Sequence, residues 1–273
     1  MDRIKPATLS DRKDSRRWTH RLKDFAITLC LWGYFTAGYL LIFAPFYVLA
    51  LLFPKHRRQS YQFLNSLFYR GFFCLCRWII PRHKWDIDPA VRHIRSAVIA
   101  CNHLSYLDSI LLVSLYPRHT TIAKDRLFAI PLFGMILKLS GYIPSSGSGR
   151  YAELLMNSLE SISNSLAQGG NVIVFPEGTR SRDGRVGTLQ KGGFKIARYC
   201  HAPIKVVRVR NTDKLFTPGR FLFNTCIDNT ISAKLVGEIP IDPPNGRQMT
   251  TNELMARVYA LLSGEQQQLP LNR

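Results

Sequence analysis

A histidine and an aspartate lie five residues apart in the segment CNHLSYLDSI, residues 101–110. In one continuous helix, five residues advance about 500°, which would leave His103 and Asp108 roughly 140° apart on different faces. We therefore expect His103 in a strand-to-helix connection and Asp108 in the first turns of that helix, where the carboxylate can reach the imidazole. Such a pair fixes the imidazole tautomer and stabilises the imidazolium formed when the histidine takes a proton. A helix cap at Asn102 or Ser105 beside a solvated histidine has the same spacing, so both interpretations stay open.

A second group of polar side chains ends the apolar run in VFPEGTRSRDG, residues 174–184. Ligands of open α/β sheets bind at the carboxyl ends of the strands. Gly178 permits a close backbone approach, Thr179 offers a hydroxyl, and Arg180 can bind a phosphate through two parallel hydrogen bonds. The GxxxxGK[ST] pattern of a P-loop is absent. By itself the segment is equally consistent with a charged turn.

The N-terminal part of the chain contains an uncharged apolar run over residues 25–53. A membrane-spanning helix needs about 20 apolar residues, so membrane embedding is favoured over a buried core helix. Basic residues flank both ends, which fits a re-entrant hairpin broken near Pro45 with both ends on the cytoplasmic face. Residues 61–80 suit an interfacial helix on acidic lipid, with a core helix as the alternative.

After Pro81, short apolar or β-branched segments alternate with segments of helical spacing. Strands are predicted over residues 96–100, 120–123, 171–175, 204–209 and 231–239. Helices are predicted over residues 106–115, 151–166, 190–199 and 252–262, with a loop over 145–149. The fold class expected is α/β: a mixed, largely parallel sheet flanked by helices, with an N-terminal membrane-associated helical segment. The division expected is a basic segment (1–24), a membrane-embedded or interfacial helical arm (25–80) and an α/β domain (81–273).

The formal charge of +19 implies an anionic partner. The lysines and arginines are dispersed and do not form the basic stripe with stacking aromatics of a nucleic-acid module, so no nucleic acid is expected. The six cysteines form no CxxC pair and no zinc-like cluster with histidine. No metal site is therefore predicted.

The ordered motifs resemble the 1-acylglycerol-3-phosphate (lysophosphatidic acid) acyltransferases of the glycerol-phosphate acyltransferase superfamily. Asn102-His103-x-x-x-x-Asp108 matches the first block of that family, and the segment FPEGTRS at 175–181 matches the third. Further matches belong to the second and fourth blocks: Lys124, Pro131, Gly134 and Gly141, then Ala202-Pro203-Ile204. The resemblance covers residues 96–209.

The resemblance implies transfer of a fatty acyl group from acyl-CoA or acyl carrier protein to the sn-2 hydroxyl of 1-acylglycerol-3-phosphate, giving phosphatidic acid. His103 would remove the hydroxyl proton and Asp108 would orient His103, with no bound cofactor. Ser105 is the alternative, as a nucleophile. The remaining candidate residues would bind the acceptor: Glu177, Gly178, Thr179 and Arg180, with Lys124 and Arg150 as further candidates.

Two segments depart from the family pattern. The second block reads GYIPSSGSGR, without the usual aspartate and with the arginine delayed to Arg150, and the fourth has Lys205-Val206-Val207 where a second proline is usual. Another lysolipid, such as a lyso-aminolipid or a different lysophospholipid, therefore stays open as the acceptor. A non-catalytic basic lipid-binding membrane protein is the alternative of a different class. The expected location is a bacterial inner membrane, with membrane lipid as a partner and the active site on the cytoplasmic face.

Overall fold

The computed structural model describes residues 9–145, 152–181, 183–242 and 248–264. In these residues seven strands form one sheet in the order β1-β7-β6-β2-β5-β3-β4. They are His83–Ile87 (β1), Val98–Cys101 (β2), His119–Ala123 (β3), Ile143–Pro144 (β4), Asn171–Val174 (β5), Ile204–Arg210 (β6) and Asn229–Ile239 (β7). Strands β6, β2, β5, β3 and β4 run parallel, whereas β7 is antiparallel to β6 and β1 is parallel to β7. The predicted mixed, largely parallel sheet is confirmed, and β1 and β4 were not predicted.

The central strands form because both of their faces are covered. All four residues of β2 and of β5 are buried, as expected for parallel strands that read as continuous apolar runs. Side chains alternate between the two faces: Ile99 packs in a cluster with Phe72, and Val98 packs in another with Ile162. The sheet therefore has a core on each side.

The helices in the described residues are Leu9–Gly33 (α1), Ala44–Leu51 (α2), Arg57–Ile79 (α3), Pro89–Arg92 (α4), Tyr106–Leu115 (α5), Asp125–Phe128 (α6), Phe133–Leu139 (α7), Ala152–Ala167 (α8), Gly192–Tyr199 (α9), Thr212–Leu215 (α10) and Thr251–Ser263 (α11). Helices α3 and α5 pack on one face of the sheet, and α8, α9 and α11 pack on the other. The predicted loop at 145–149 lies outside the described residues except for Ser145.

The prediction of a hairpin broken near Pro45 is wrong. The chain stays helical from α1 through a π-helix, Tyr34–Phe43, into α2. In a regular α-helix proline lacks the donor and its ring clashes with the carbonyl four residues earlier. The π-helical turn relieves this constraint, because the Ala44 N–H bonds five residues back, to the Tyr39 carbonyl. The result is one helical stretch, Trp18–Leu51, which is long and apolar enough to cross a membrane by length and composition.

Helix α3, predicted as interfacial or core, packs as a core helix along one face. Phe72 and Cys76 are fully buried against the sheet side of the molecule, and Tyr61 and Phe68 pack against α2. The opposite face of α3 leaves Trp78 exposed. Helix α3 therefore connects the apolar helical stretch Trp18–Leu51 to the α/β core.

Candidate active site

His103 lies where β2 ends and the chain turns into α5. Its Nδ1 atom lies 3.1 Å from Asp108 Oδ2. The same oxygen accepts hydrogen bonds from the backbone N–H groups of Leu104, at 2.5 Å, and Ser105, at 2.7 Å. The turn thus folds back around the carboxylate, which is the arrangement expected from the five-residue spacing.

Ser105 is the N-cap of α5, as the alternative interpretation proposed. Its hydroxyl accepts from the Leu107 N–H, and Asp108 completes the capping box by accepting from the Ser105 N–H. The hydroxyl also donates to the Phe216 carbonyl at 2.7 Å, and Ser105 is fully buried. The cap and the histidine–aspartate pair therefore coexist. The buried hydroxyl of Ser105, already bonded on both sides, is poorly placed to act as a nucleophile.

Asp108 is fully buried, and its second oxygen is bonded by a residue that the sequence analysis did not identify. Thr212, at the start of α10, donates its hydroxyl proton to Asp108 Oδ1 and is itself fully buried. A buried carboxylate needs such donors, because it has lost its hydration. Thr212 lies 104 residues beyond Asp108, so nothing in the local sequence could have indicated the contact.

The position of β6 beside β2 explains how Thr212 reaches this turn. The Asn102 side chain donates to the Val209 carbonyl at 2.9 Å and accepts from the Val209 N–H at 2.7 Å. These two bonds prolong the β2–β6 pairing past the last residue of β2. They hold the end of β6, and with it Thr212, against the histidine turn.

The imidazole of His103 is oriented on both sides. Since an aspartate carboxylate only accepts hydrogen bonds, this contact favours the neutral tautomer with the proton on Nδ1 and the lone pair on Nε2. The ring packs against Phe175, with 4.4 Å between the ring centroids. Its side chain is 16% exposed, and Nε2 has no hydrogen-bond partner among the described residues. Nε2 is therefore available to an incoming proton donor.

Glu177 connects the two sequence motifs. Its Oε1 accepts from the His103 N–H at 3.0 Å, and its Oε2 accepts from the Gly187 N–H at 2.9 Å. The Ser181 N–H adds a bond to the His103 carbonyl at 2.7 Å. Glu177 was predicted to bind the acceptor, but its carboxylate is buried and bonded to the backbone on both oxygens. This geometry favours a role in positioning His103 and the loop after β5.

Gly178, Thr179 and Arg180 lie at the surface of the same loop. Gly178 adopts a φ of +65°, which favours glycine, and both Gly178 and Thr179 are exposed. The guanidinium of Arg180 lies over the Tyr106 ring, 3.6 Å from its centroid. Its Nη1 is buried without a hydrogen-bond partner among the described residues. An unsatisfied cationic donor, one residue before the Ser181 N–H that bonds the His103 carbonyl, is suited to an anionic ligand.

Of the other two predicted binding residues, the structure describes Lys124 but not Arg150. Lys124 follows β3, next to β5 in the sheet, and its side chain is exposed. It lies on the same edge as the His103 and Arg180 loops, because β2, β3 and β5 are parallel. Arg150 lies outside the described residues.

The loop after β5 borders an open depression of about 350 Å³. Its lining residues are Glu177, Thr179, Ser181, Asp183, Arg185, Gly187, Thr188 and Gln190. Among the described residues, no three His, Cys, Asp or Glu side chains are grouped so as to hold a metal ion. The carboxyl ends of β2, β3 and β5 therefore bring together a proton acceptor (His103), an oriented carboxylate (Asp108), an exposed cation (Lys124) and an exposed hydroxyl (Thr179).

Comparison with known proteins identifies the class. The model of the acyltransferase family matches residues 86–210, which contain the strands that carry His103 and Arg180. This match covers slightly less than half of the chain. The chain is also similar to 1-acyl-sn-glycerol-3-phosphate acyltransferases, and the resemblance indicated by the four sequence blocks is confirmed.

The relatives match a part of their own length. The chloroplastic 1-acyl-sn-glycerol-3-phosphate acyltransferase of Brassica napus is 30% identical over 62% of this chain and 48% of its own. The enzyme of Saccharomyces cerevisiae is 33% identical over 46% of this chain and 43% of its own. The chain thus spans about half the length of the curated relatives it matches.

A solved structure extends the likeness of the fold to most of the chain. The crystal structure of the 1-acyl-sn-glycerophosphate acyltransferase PlsC from Thermotoga maritima has a TM-score of 0.69 and 22% sequence identity. The match covers 90% of this chain and 95% of that one. At this identity the comparison shows a common fold.

Proposed function

We propose that the protein is a membrane-bound O-acyltransferase that moves a fatty acyl group from acyl-CoA or acyl carrier protein to the sn-2 hydroxyl of 1-acylglycerol-3-phosphate, giving phosphatidic acid. The observation that carries the proposal is the His103–Asp108 pair, tied by Glu177 to the loop of Arg180, within the residues 86–210 that match the acyltransferase family. The relatives named for this activity support the choice of acceptor.

In the proposed reaction, His103 Nε2 accepts the proton of the acceptor hydroxyl while the hydroxyl oxygen attacks the thioester carbonyl carbon. The resulting tetrahedral intermediate collapses, the C–S bond breaks, and the proton passes from His103 to the departing thiolate. Asp108 stabilises the imidazolium in between, and neutral histidine is regenerated. Proton transfer of this kind contributes about 10²–10⁴-fold to the rate.

Arg180 is the proposed anchor for the acceptor phosphate. Its guanidinium is held in place by Tyr106 and keeps an unpartnered N–H. Thr179 and the Gly178 backbone lie beside it and are exposed, and Lys124 adds positive charge on the same edge. Arg150, close in sequence to the end of β4, remains a further proposed contact. The donor itself carries the activated acyl group, so the proposed transfer uses no bound cofactor.

The apolar helix Trp18–Leu51 supports attachment to a membrane, where both acceptor and product reside. We assign residues 1–24 to a basic segment, 25–80 to the helical arm and 81–273 to the catalytic domain. Anionic thioester donors are cytoplasmic and suit the net charge of +19. We therefore place the active site on the cytoplasmic face, in a bacterial inner membrane.

The test compares purified wild type, His103→Ala and Arg180→Ala in detergent. The donor is one acyl-CoA, repeated with acyl carrier protein, and the acceptors are lysophosphatidate, lysophosphatidylethanolamine and a lyso-aminolipid. Thiol release and product mass are followed. We expect turnover with lysophosphatidate, its loss in His103→Ala, and a raised KM for lysophosphatidate in Arg180→Ala.

Two matched variants serve as controls. His201→Ala removes an exposed histidine, and Arg118→Ala removes an arginine that bonds the Gln168 carbonyl at the opposite edge of the sheet. Both should keep wild-type kinetics. Turnover only with another lysolipid, the alternative that the altered second block supports, would keep the mechanism and change the acceptor. Turnover in His103→Ala equal to wild type would refute the proposed base, and inactivity with every donor and acceptor would favour a binding protein.

A further inference from the structure

The connection between α6 and α7 exposes a short apolar segment to the surroundings. Within residues 130–135, here called the α6–α7 tip, four large apolar side chains are exposed: Ile130 (46%), Leu132 (68%), Phe133 (37%) and Met135 (46%). Isolated exposed apolar residues are common on proteins, but four in six residues form a patch that water solvates poorly. The proposed transfer gives these side chains no role.

The backbone of the tip holds Leu132 outward in a strained conformation. Leu132 has φ +60° and ψ −54°, and the Phe133 N–H bonds the Pro131 carbonyl at 2.6 Å, which makes a γ-turn with Leu132 at its centre. Glycine adopts a positive φ without strain, whereas leucine does not. Gly134 crosses so close to α6 that an added Cβ would lie 2.2 Å from the Phe128 carbonyl oxygen. The tight corner therefore presents a leucine where the conformation favours glycine.

The base of the tip is fixed to the apolar arm. Ile136 packs in one cluster with Phe43 and Tyr47, which belong to the long apolar helical stretch. The Gln62 side chain donates to the Ser140 carbonyl at 2.9 Å, which ties the end of α7 to α3. The tip is thus packed, through Ile136, against the helical stretch Trp18–Leu51.

The charges around the tip are mostly positive. Lys124, Arg126 and Lys138 flank it and are exposed. Asp125 is the one acidic residue between Lys124 and Lys138. Exposed apolar side chains with lysine and arginine beside them match the boundary between acyl chains and anionic headgroups.

We propose that the α6–α7 tip is a second membrane-inserting element, which dips into a bilayer containing anionic lipid beside the helical arm. This inference rests on the proposed membrane attachment. Three observations support it. Ile136 packs against the apolar helical stretch, lysine and arginine side chains flank the tip, and Leu132 is held exposed at a positive φ. The tip also starts from the end of β3, on the edge that carries His103. Two attachment points on one side would therefore fix the orientation of the active edge relative to the lipid.

The first experiment measures depth in the membrane. Leu132→Trp is reconstituted with vesicles of phosphatidylglycerol and phosphatidylcholine whose acyl chains carry bromine. Tyr259→Trp is the matched control, because α11 lies on the opposite face of the sheet. We expect quenching above the wild-type level for Leu132→Trp and none above it for Tyr259→Trp. Equal, wild-type-level quenching in both would overturn the inference.

The second experiment measures affinity. The double substitution Leu132→Ser with Met135→Ser is compared with Tyr259→Ser for binding to the same vesicles, and thermal midpoints verify folding. We expect about tenfold weaker binding for the double variant, since burial of two apolar side chains is lost, and no change for the control. Wild-type affinity in a folded double variant would overturn the tip as a contact while leaving the arm as the anchor. No vesicle binding by wild type would overturn both.

Discussion

Among the residues that the structure describes, two histidine–aspartate pairs have nearly the same distance between nitrogen and oxygen. His103 Nδ1 lies 3.1 Å from Asp108 Oδ2, and His201 Nδ1 lies 2.9 Å from Asp242 Oδ2. The first pair has side-chain exposures of 16% and 0%, whereas the second has 66% and 57%. Distance therefore does not distinguish the two pairs.

What differs is how each carboxylate is held. Asp108 accepts two backbone N–H bonds and the Thr212 hydroxyl in addition to His103. Both side chains of the His201–Asp242 pair are exposed to solvent, and such pairs contribute about 0–1 kcal/mol. The first pair also lies at the end of β2 near Arg180, while His201 precedes β6 at the opposite edge. A pair becomes a candidate for catalysis when its carboxylate is fixed and its free nitrogen faces a ligand site.

Asp108→Asn is the strongest test of the difference between the buried pair, His103–Asp108, and the exposed pair, His201–Asp242. An amide in place of the carboxylate cannot hold the imidazolium, and its NH₂ group opposes the donors around it. We expect kcat to fall about 10²–10⁴-fold, the range of the general-base contribution that Asp108 supports. Steady-state kinetics with lysophosphatidate would measure the change.

The matched variant is Asp242→Asn, which removes the exposed carboxylate. Its kcat should equal that of wild type and its stability should change by less than about 1 kcal/mol. Equal losses of activity in both variants would show that burial and the surrounding donors do not separate the pairs.

His119 gives a second contrast, because this histidine is buried without a carboxylate. Its Nδ1 bonds the Tyr116 carbonyl and its Nε2 accepts from the Tyr142 hydroxyl. Burial lowers the pKa of His119 to about 4, while an unfolded histidine has a pKa of about 6.5. Between these values the unfolded chain binds the proton and the folded chain does not. The stability from neutral His119 is thus fully present above pH 6.5 and is lost as the pH falls toward 4.

The expected loss across that range is about 3 kcal/mol. Denaturant unfolding at a series of pH values measures it, and His119→Gln should flatten the slope. Burial also lowers the pKa of His83, so part of the slope should persist. An unchanged slope in His119→Gln would contradict the assignment.

Thr212→Val is the finest test, because it removes one hydrogen bond and keeps the shape of the side chain. A hydrogen bond to a charged group contributes about 1.5–3 kcal/mol. We expect kcat to fall roughly tenfold with KM little changed, since Thr212 acts through Asp108 and does not face the acceptor.

Thr212→Ser, which restores the hydroxyl, should recover most of the activity. Thr217→Val is the control, because that hydroxyl bonds the Asp213 carbonyl and has no contact with the pair. A Thr212→Val variant of normal kcat, or a serine variant as slow as the valine one, would remove Thr212 from the positioning of Asp108.

The local sequence predicts much of the fold and part of the candidate site. The apolar run before His103 and the five-residue spacing predicted a strand, a fold-back and a helix, and α5 covers the predicted residues 106–115. The apolar and β-branched runs missed β1 because its sequence, HKWDI, contains three polar or charged residues. They missed β4 because it has two residues.

Tertiary contacts account for what local sequence could not predict. Pro45 is typical of a helix break, but the preceding π-helical turns carry the helix through it. Glu177 is a predicted acceptor contact through the family resemblance, and the local sequence does not indicate that its two oxygens accept from the backbone of two loops. Thr212 reaches Asp108 because β6 pairs with β2, and the local sequence does not indicate this pairing.

The ties between the loops also set the order in which the site can form during synthesis. Glu177 lies 74 residues after His103, and Thr212 lies 104 residues after Asp108. The apolar stretch Trp18–Leu51 leaves the ribosome before Glu177 and Thr212 do, and contacts of such long separation form late. Under the proposed membrane attachment, this stretch would meet the bilayer while the histidine turn still lacks its supports, so anchoring would precede activity in the life of each molecule.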